Sequence, residues 1–97
     1  LPYKVKIERK ANKFYRSLDG KGRRIVKDHL DRLMNDPYPG SSGDKERLVL
    51  PGGEITYRMH IGRTFTVFYD IDEEEGTVFI NILTTLENAH KRYGRWG

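Results

Sequence analysis

The period of the apolar residues changes twice along the chain, and each change marks an element boundary. In "YKVKIE" (3–8), Tyr3, Val5 and Ile7 alternate with charged residues, the two-residue period of a half-buried strand. In "ANKFYRSL" (11–18), Ala11, Phe14, Tyr15 and Leu18 fall at i, i+3, i+4 and i+7, one face of a short helix. "DGKG" (19–22) interrupts it, with a glycine to take the positive φ of a helix C-terminus. Val26, Leu30, Leu33 and Met34 then stripe a second helix from about Arg23 to Met34, which completes a helical hairpin.

"NDPYPGSSGD" (35–44) concentrates two prolines and two glycines in ten residues and reads as a loop. Beyond it the strand period returns. "ERLVL" (46–50) is a short strand stopped by "PGG" (51–53). "EITYRMHI" and "TFTVFYDI" are two more, joined by a tight hairpin turn at Gly62-Arg63. "DEEEG" (72–76) is an acidic turn, and "TVFINILT" (77–84) the last strand. The basic tail "LENAHKRYGRWG" (86–97) is helical at its start if anywhere. Strand, helix, helix and then consecutive strands predict one α+β domain over residues 1–97. Both helices would pack on one face of a mainly antiparallel sheet of about four to five strands, with the first strand inside it or at its edge.

Composition narrows the function classes. The 97 residues are 36% hydrophobic and 33% charged, polar for a globular chain, but the apolar positions are periodic and the segment is not a disordered one. A net charge of +4 and a pI near 9.4 suit a polyanionic partner and equally suit a basic soluble domain. There is no cysteine, so disulfide frameworks and thiolate chemistry are excluded. No apolar run approaches the ~20 residues of a membrane span, so a soluble, cytoplasmic protein with no membrane partner is expected.

No phosphate loop is legible, because "GKGRR" (20–24) lacks the spacing and the preceding strand. The three histidines form no metal motif, and neither metal nor cofactor is expected. His29 borders the apolar stripe of the second helix and reads as a satisfied, partly buried histidine. The carboxylates of residues 70–75 read as a solvated hairpin tip. Arg58 and His60 stand apart. Alternation sets Tyr57, Met59 and Ile61 on one face of a strand and Arg58 and His60 on the other, about 6–7 Å apart. Thr64, Thr66 and Phe68 occupy one face of the neighbouring strand, and Lys45 and Arg47 approach from the segment before. Together these would form a concave cationic surface. Arginine clamps phosphate in a bidentate way, and histidine moves protons near neutrality. An ordinary solvated sheet face explains the same spacing. In the tail, His90, Lys91, Arg92, Tyr93, Arg95 and Trp96 interleave cations with rings, which suits unpaired bases or, alternatively, a terminal helix packing back on the sheet.

Taken in order, these segments resemble the RelE/ParE superfamily of toxin–antitoxin toxins over most of the chain. "YKVKIERKANKFYRSLD" is similar to the family's opening strand and helix, and "RIVKDHLDRLMNDPYP" to its second helix. "RLVLPGGEITYRMHIGRTFTVFYDID", "VFINIL" and the tyrosine-containing basic tail resemble its core and C-terminus. The resemblance implies a toxin held inactive by an acidic RelB-like antitoxin. It further implies translation inhibition by metal-independent, ribosome-dependent mRNA cleavage. Arg58 would then stabilise the transition state and His60 transfer protons, with Tyr93 or His90 at the place of the family's C-terminal tyrosine. Lys45, Arg47, Arg63, His90, Lys91 and Arg92 would bind RNA. ParE-like members inhibit DNA gyrase without catalysis, which is the alternative, together with a degenerate member that binds only its antitoxin. One departure bears on the choice. The family's arginine on the next strand is replaced by Thr66, the loss of one cationic clamp, for which Arg63 is the candidate substitute.

Overall fold

The computed structural model describes residues 2–40 and 43–93, the last two by backbone alone. Five strands and three helices follow the order β1 (Lys4–Ile7), α1 (Arg9–Ser17), α2 (Gly20–Arg32), β2 (Lys45–Val49), β3 (Ile55–Ile61), β4 (Phe65–Asp72), β5 (Thr77–Thr85) and α3 (Leu86–Tyr93). The sheet order is β1-β5-β4-β3-β2. β1 takes the edge position and runs parallel to β5, while every other pair is antiparallel. Among the described residues, no helix is long and apolar enough to cross a membrane.

Both predicted helices form, with shifted boundaries. Glu8 caps α1 by accepting the Lys10 backbone N–H at 2.9 Å. The break at 19–22 is a start signal rather than the predicted left-handed C-cap. Asp19 is the N-cap of α2, its carboxylate accepting the Gly22 N–H at 2.7 Å, and neither Gly20 nor Gly22 has positive φ. Aspartate wins this position because it satisfies an orphan donor of the next helix. Gly22 is needed for another reason: a Cβ there would lie 3.0 Å from the Asp19 carboxylate and 3.3 Å from Leu18 Cβ. α2 ends at Arg32, two residues short of the predicted Met34. His29 Nδ1 lies 2.8 Å from the Ile25 carbonyl, the satisfied histidine its position implied.

α1 and α2 cover one face of the sheet, here called the helix face. Ala11, Val26, Leu30 and Leu33 meet Met59, Ile61, Val67, Tyr69, Val78, Ile80 and Leu83 in the main core. Phe14 sets its ring edge-on to Phe65 with centroids 6.2 Å apart. The β3–β4 connection is a three-residue turn, not two, since Ile61 pairs with Phe65 and Gly62 carries φ 61°. β5 holds one extra residue, Asn81, against the Phe68/Tyr69 step of β4, and its amide donates to Asp70 at 2.8 Å. The bulge keeps apolar residues on the helix face on both sides of it.

Tyrosines anchor the loop after α2. The buried Tyr69 hydroxyl donates to the Pro37 carbonyl at 2.7 Å, and burial pushes that phenol well above its usual range. Tyr57 stacks on Tyr69 at 5.6 Å and takes Tyr38 edge-on at 5.9 Å. Tyr38 and Tyr3 both donate to the Glu73 carboxylate in the acidic turn, Tyr3 at 2.8 Å to one oxygen. Those bonds, Tyr38 first and Tyr3 second, hold the Glu73 carboxyl below its ordinary value, and the same carboxylate raises both phenols.

The sign of each shift sets the pH range of this tie. A depressed carboxyl contributes above its ordinary pKa of about 4.3 and loses that contribution as pH falls through the lower folded value. A raised phenol contributes below about 10 and loses it as pH rises through the higher folded value. The Tyr38 ring resonances, followed by NMR, are therefore expected to be constant near neutrality and to move at both extremes. Glu73→Gln should abolish the acid-side movement. In the core, Tyr69→Phe should cost about 1–3 kcal/mol in urea unfolding, because the Pro37 carbonyl loses its donor.

Candidate functional site

β3 contributes the two residues that alternation singled out. Thr56, Arg58 and His60 point to the outer face of the sheet, opposite α1 and α2, because Tyr57, Met59 and Ile61 belong to the main core. The β3–β4 register sets Arg58 opposite Phe68 and His60 opposite Thr66, as a shared face requires. The expected common surface of Arg58, His60, Thr66 and Phe68 is therefore present.

It is not the open concave surface that the residues suggested. α3 crosses the outer face, and Ala89 packs with Leu48, Phe68 and Ile82 in a second, smaller core. The start of α3 is held by the Leu86 N–H, which donates to the Thr64 carbonyl at 2.8 Å, and by Thr85, whose hydroxyl accepts the Asn88 N–H at 3.1 Å. Thr66 is fully buried and donates to the Met59 carbonyl at 3.3 Å. An arginine in its place would have to displace that cover to reach a ligand.

Lys45 and Arg47 are corrected. β2 pairs with β3 so that Lys45 lies opposite Met59 and Arg47 opposite Tyr57, which places both on the helix face. Neither shares a surface with Arg58. The Lys45 side chain is buried and salt-bridged, its Nζ 3.4 Å from Asp36 and 3.5 Å from Asp44, where it fastens the loop after α2. Arg47 is exposed.

The strand residue that does meet Arg58 is Glu46, which sequence reasoning missed. It lies directly opposite Arg58 in the register, and its Oε1 accepts from Arg58 Nη2 at 2.6 Å. The Arg58 side chain is 11% exposed, and its Nε is buried with no hydrogen-bond partner. A buried guanidinium donor without an acceptor is costly to maintain. The missed signal was parity: Glu46 and Leu48 share a face, and Leu48 is apolar and buried against the outer core.

The remaining candidates surround this pair at different distances in the fold. His60 is half-buried, its backbone N–H donating to the Asp44 carbonyl at 3.0 Å. Arg63 is exposed in the β3–β4 turn, beside the Thr64 carbonyl that tethers α3. His90 and Lys91 are exposed on α3, and Lys91 pairs with Glu87 at 3.4 Å, a solvated contact of little energetic weight. The side chains of Arg92 and Tyr93, and all of Arg95 and Trp96, lie outside the described residues.

Chemically, the outer face offers a desolvated guanidinium with one donor occupied by a carboxylate and another unoccupied, a neighbouring imidazole, and an exposed arginine at the rim. Such a set has the chemistry to bind an oxyanion and carries groups able to move a proton. The Arg58–Glu46 pair should be energetically coupled. A double-mutant cycle of Arg58→Ala and Glu46→Ala, read by urea unfolding, is expected to give about 1–3 kcal/mol of interaction.

No protein-family model matches the chain, and neither does any curated protein. Solved structures do match. The archaeal RelE–RelB complex from Pyrococcus horikoshii is 26% identical, with a TM-score of 0.72 over 88% of this chain and 96% of that one. The toxin–antitoxin complex RelBE2 from Mycobacterium tuberculosis is 22% identical, with a TM-score of 0.69 over 88% and 99%. A mutant of the E. coli toxin RelE in the free state is 17% identical, with a TM-score of 0.61 over 93% and 90%. At the lower identities the likeness is one of fold, and the archaeal match adds sequence to it. Strand order, helical hairpin and these matches together give the chain a RelE-like fold, the fold of those toxin–antitoxin structures.

Proposed function

We propose that this chain is a RelE-like toxin of a toxin–antitoxin pair that arrests translation by cutting mRNA on the ribosome, with the outer face of β3 as its cleavage site. The observation that carries the reading is the buried Arg58 guanidinium, held by Glu46 and with Nε unpartnered beside His60. Attack would be by the ribose 2′-hydroxyl on the adjacent phosphorus. Its proton passes to a base, the new O2′–P bond forms as the P–O5′ bond breaks, and the 5′-oxygen leaves with a proton. The products are a 2′,3′-cyclic phosphate and a 5′-hydroxyl.

In this reading Arg58 binds a non-bridging oxygen through its guanidinium Nη groups and stabilises the charge that develops on it. His60 or the Glu46 carboxylate takes the 2′-hydroxyl proton, and Glu46 holds the guanidinium in place until phosphate arrives. Arg63 positions RNA at the rim and His90 and Lys91 bind it along α3; Arg92 is assigned to RNA binding and Tyr93 or His90 to protonating the leaving oxygen. Lys45 and Arg47 have no part in it. An acidic RelB-like antitoxin is the proposed inhibitor, by analogy with the RelE–RelB complex, and the ribosome and mRNA are the proposed targets. The setting is the cytoplasm.

A second reading has its own support. Thr66 is fully buried where the family carries an arginine, and Arg58 is already neutralised. Both features suit a non-catalytic inhibitor of DNA gyrase.

Cell-free translation of a defined mRNA, read by primer extension, separates the two. Ribosome-dependent cuts at the A-site codon are expected, and Arg58→Ala with His60→Ala should reduce them by about 10²-fold or more with the fold intact. Intact mRNA alongside inhibited supercoiling would overturn the nuclease in favour of gyrase. His60→Ala alone distinguishes the two bases, since a large loss assigns the proton to His60 and a small one to Glu46.

A further inference from the structure

The oxyanion that Arg58 holds in the free protein is one of the chain's own. Glu46 Oε1 accepts from Arg58 Nη2 at 2.6 Å, and Nε is buried. The Nη end, which an incoming anion would use, is therefore the end that a carboxylate already occupies. Register enforces the contact, since Glu46 lies directly opposite Arg58 on the neighbouring strand β2. The two charges cancel, so this part of the outer face offers no net field to draw a phosphate in. Residues 9–24 carry seven Lys and Arg, all exposed, but on α1 and the start of α2 across the sheet. They neither neutralise Glu46 nor stand in for Arg58.

The partners are not equally free to leave. The Arg58 side chain is 11% exposed, and Phe68, its register partner on β4, is buried with Ala89 of α3. The Glu46 side chain is 36% exposed, on an edge strand with no neighbour on its far side. A carboxylate that swings away from an edge strand regains water, whereas a guanidinium in a packed site has nowhere to go. Exchange therefore moves Glu46 and leaves Arg58 in place. Carboxylate and phosphate oxygens make the same kind of charge-assisted bond to a guanidinium, so the contest is decided by concentration. A tethered group competes at an effective concentration on the order of millimolar. A dilute free anion does not match that, and a phosphate held against the site does.

We infer that Glu46 is a built-in competitor for the Arg58 anion site, an autoinhibitory contact that closes the site to free phosphate and yields to a phosphate presented to it. The inference rests on the reading of Arg58 as a phosphate-binding group and adds a closed state that the anion has to open.

The test is titration of the isotopically labelled protein with inorganic phosphate at constant ionic strength, read by NMR at the Arg58 Nε–Hε resonance. Glutamine matches glutamate in size and still accepts a hydrogen bond but lacks the charge, so Glu46→Gln is expected to bind phosphate about tenfold or more tightly. Equal or weaker binding would overturn the proposal and make Glu46 a brace for the guanidinium. Glu74→Gln removes the same charge from the exposed acidic turn and should change affinity by no more than about twofold. A gain there as large as that of Glu46→Gln would reduce the effect to net charge and overturn it too. A circular dichroism melt checks the variants' fold, and the unaltered protein gives an independent reading. As phosphate saturates, the Glu46 carboxylate carbon resonance should move with Arg58, and movement of Arg58 alone, or of neither, would overturn the proposal. Cleavage is scored separately by primer extension. Cuts at the A-site codon without tighter phosphate binding by Glu46→Gln would overturn the competitor and leave the nuclease, and tighter binding with intact mRNA would do the reverse.

Discussion

The site, the main core and the placement of α3 all depend on the register of the β3–β4 hairpin. Because side chains alternate across a strand, a slip of one residue would send Arg58 and His60 under α1 and α2 and turn Met59 and Ile61 to the outer face. Two features pin it. Gly62, at φ 61°, closes the three-residue turn, and Tyr57 stacks on Tyr69 directly across the pair. Tyr69 in turn reaches through the core to the Pro37 carbonyl. The loop after α2 and the central strands thereby share one anchor, and that loop carries the Asp36 carboxylate that meets Lys45.

With the register fixed, the two faces of the sheet differ in kind. The helix face is dry and sealed by eleven buried residues. The outer face is closed only in part, where Ala89 rests on Leu48 and Phe68. Arg58 sits at that boundary, desolvated enough that its charge is expensive to leave unpaired and near enough to the surface to meet an anion. Glu46 compensates the charge in the free protein. A phosphate arriving there would exchange one oxyanion for another, so the guanidinium would never be buried bare.

Much of the fold was legible because it rests on period. Alternation in 3–8 and 54–72 and the stripes of 11–18 and 26–34 located β1, β3, β4, α1 and α2 within a few residues. What failed depended on registers and caps. Asp19 was invisible as an N-cap because "DGKG" satisfies a helix end and a helix start equally well. Lys45 and Arg47 were grouped with Arg58 because parity can be counted along one strand but not across "PGG", whose Gly52 and Gly53 take φ of 98° and 89°. The same gap hid Glu46. Thr66 was read as a missing cation, and its burial adds what sequence withholds, namely that the position no longer faces solvent.

Net charge was the least local of the sequence signals and the easiest to misassign. A basic pI beside an arginine and a histidine invites the reading that the charge belongs to the site. In the structure, Arg58 is matched by Glu46, and the densest run of exposed cations outside any ion pair lies on α1 and the start of α2, across the sheet. The two arrangements do different physical work. Screening confines an exposed charge to about 10 Å at 0.1 M salt, but a cluster of seven still raises the local concentration of a polyanion and speeds encounter. A single desolvated guanidinium with a fixed neighbour does little for encounter and much for one geometry, because its donors are already oriented when the phosphate arrives. Placing the first on the helices and the second on the strands keeps them from interfering, since cations crowded around Arg58 would compete for Glu46 and disturb the geometry of the pair.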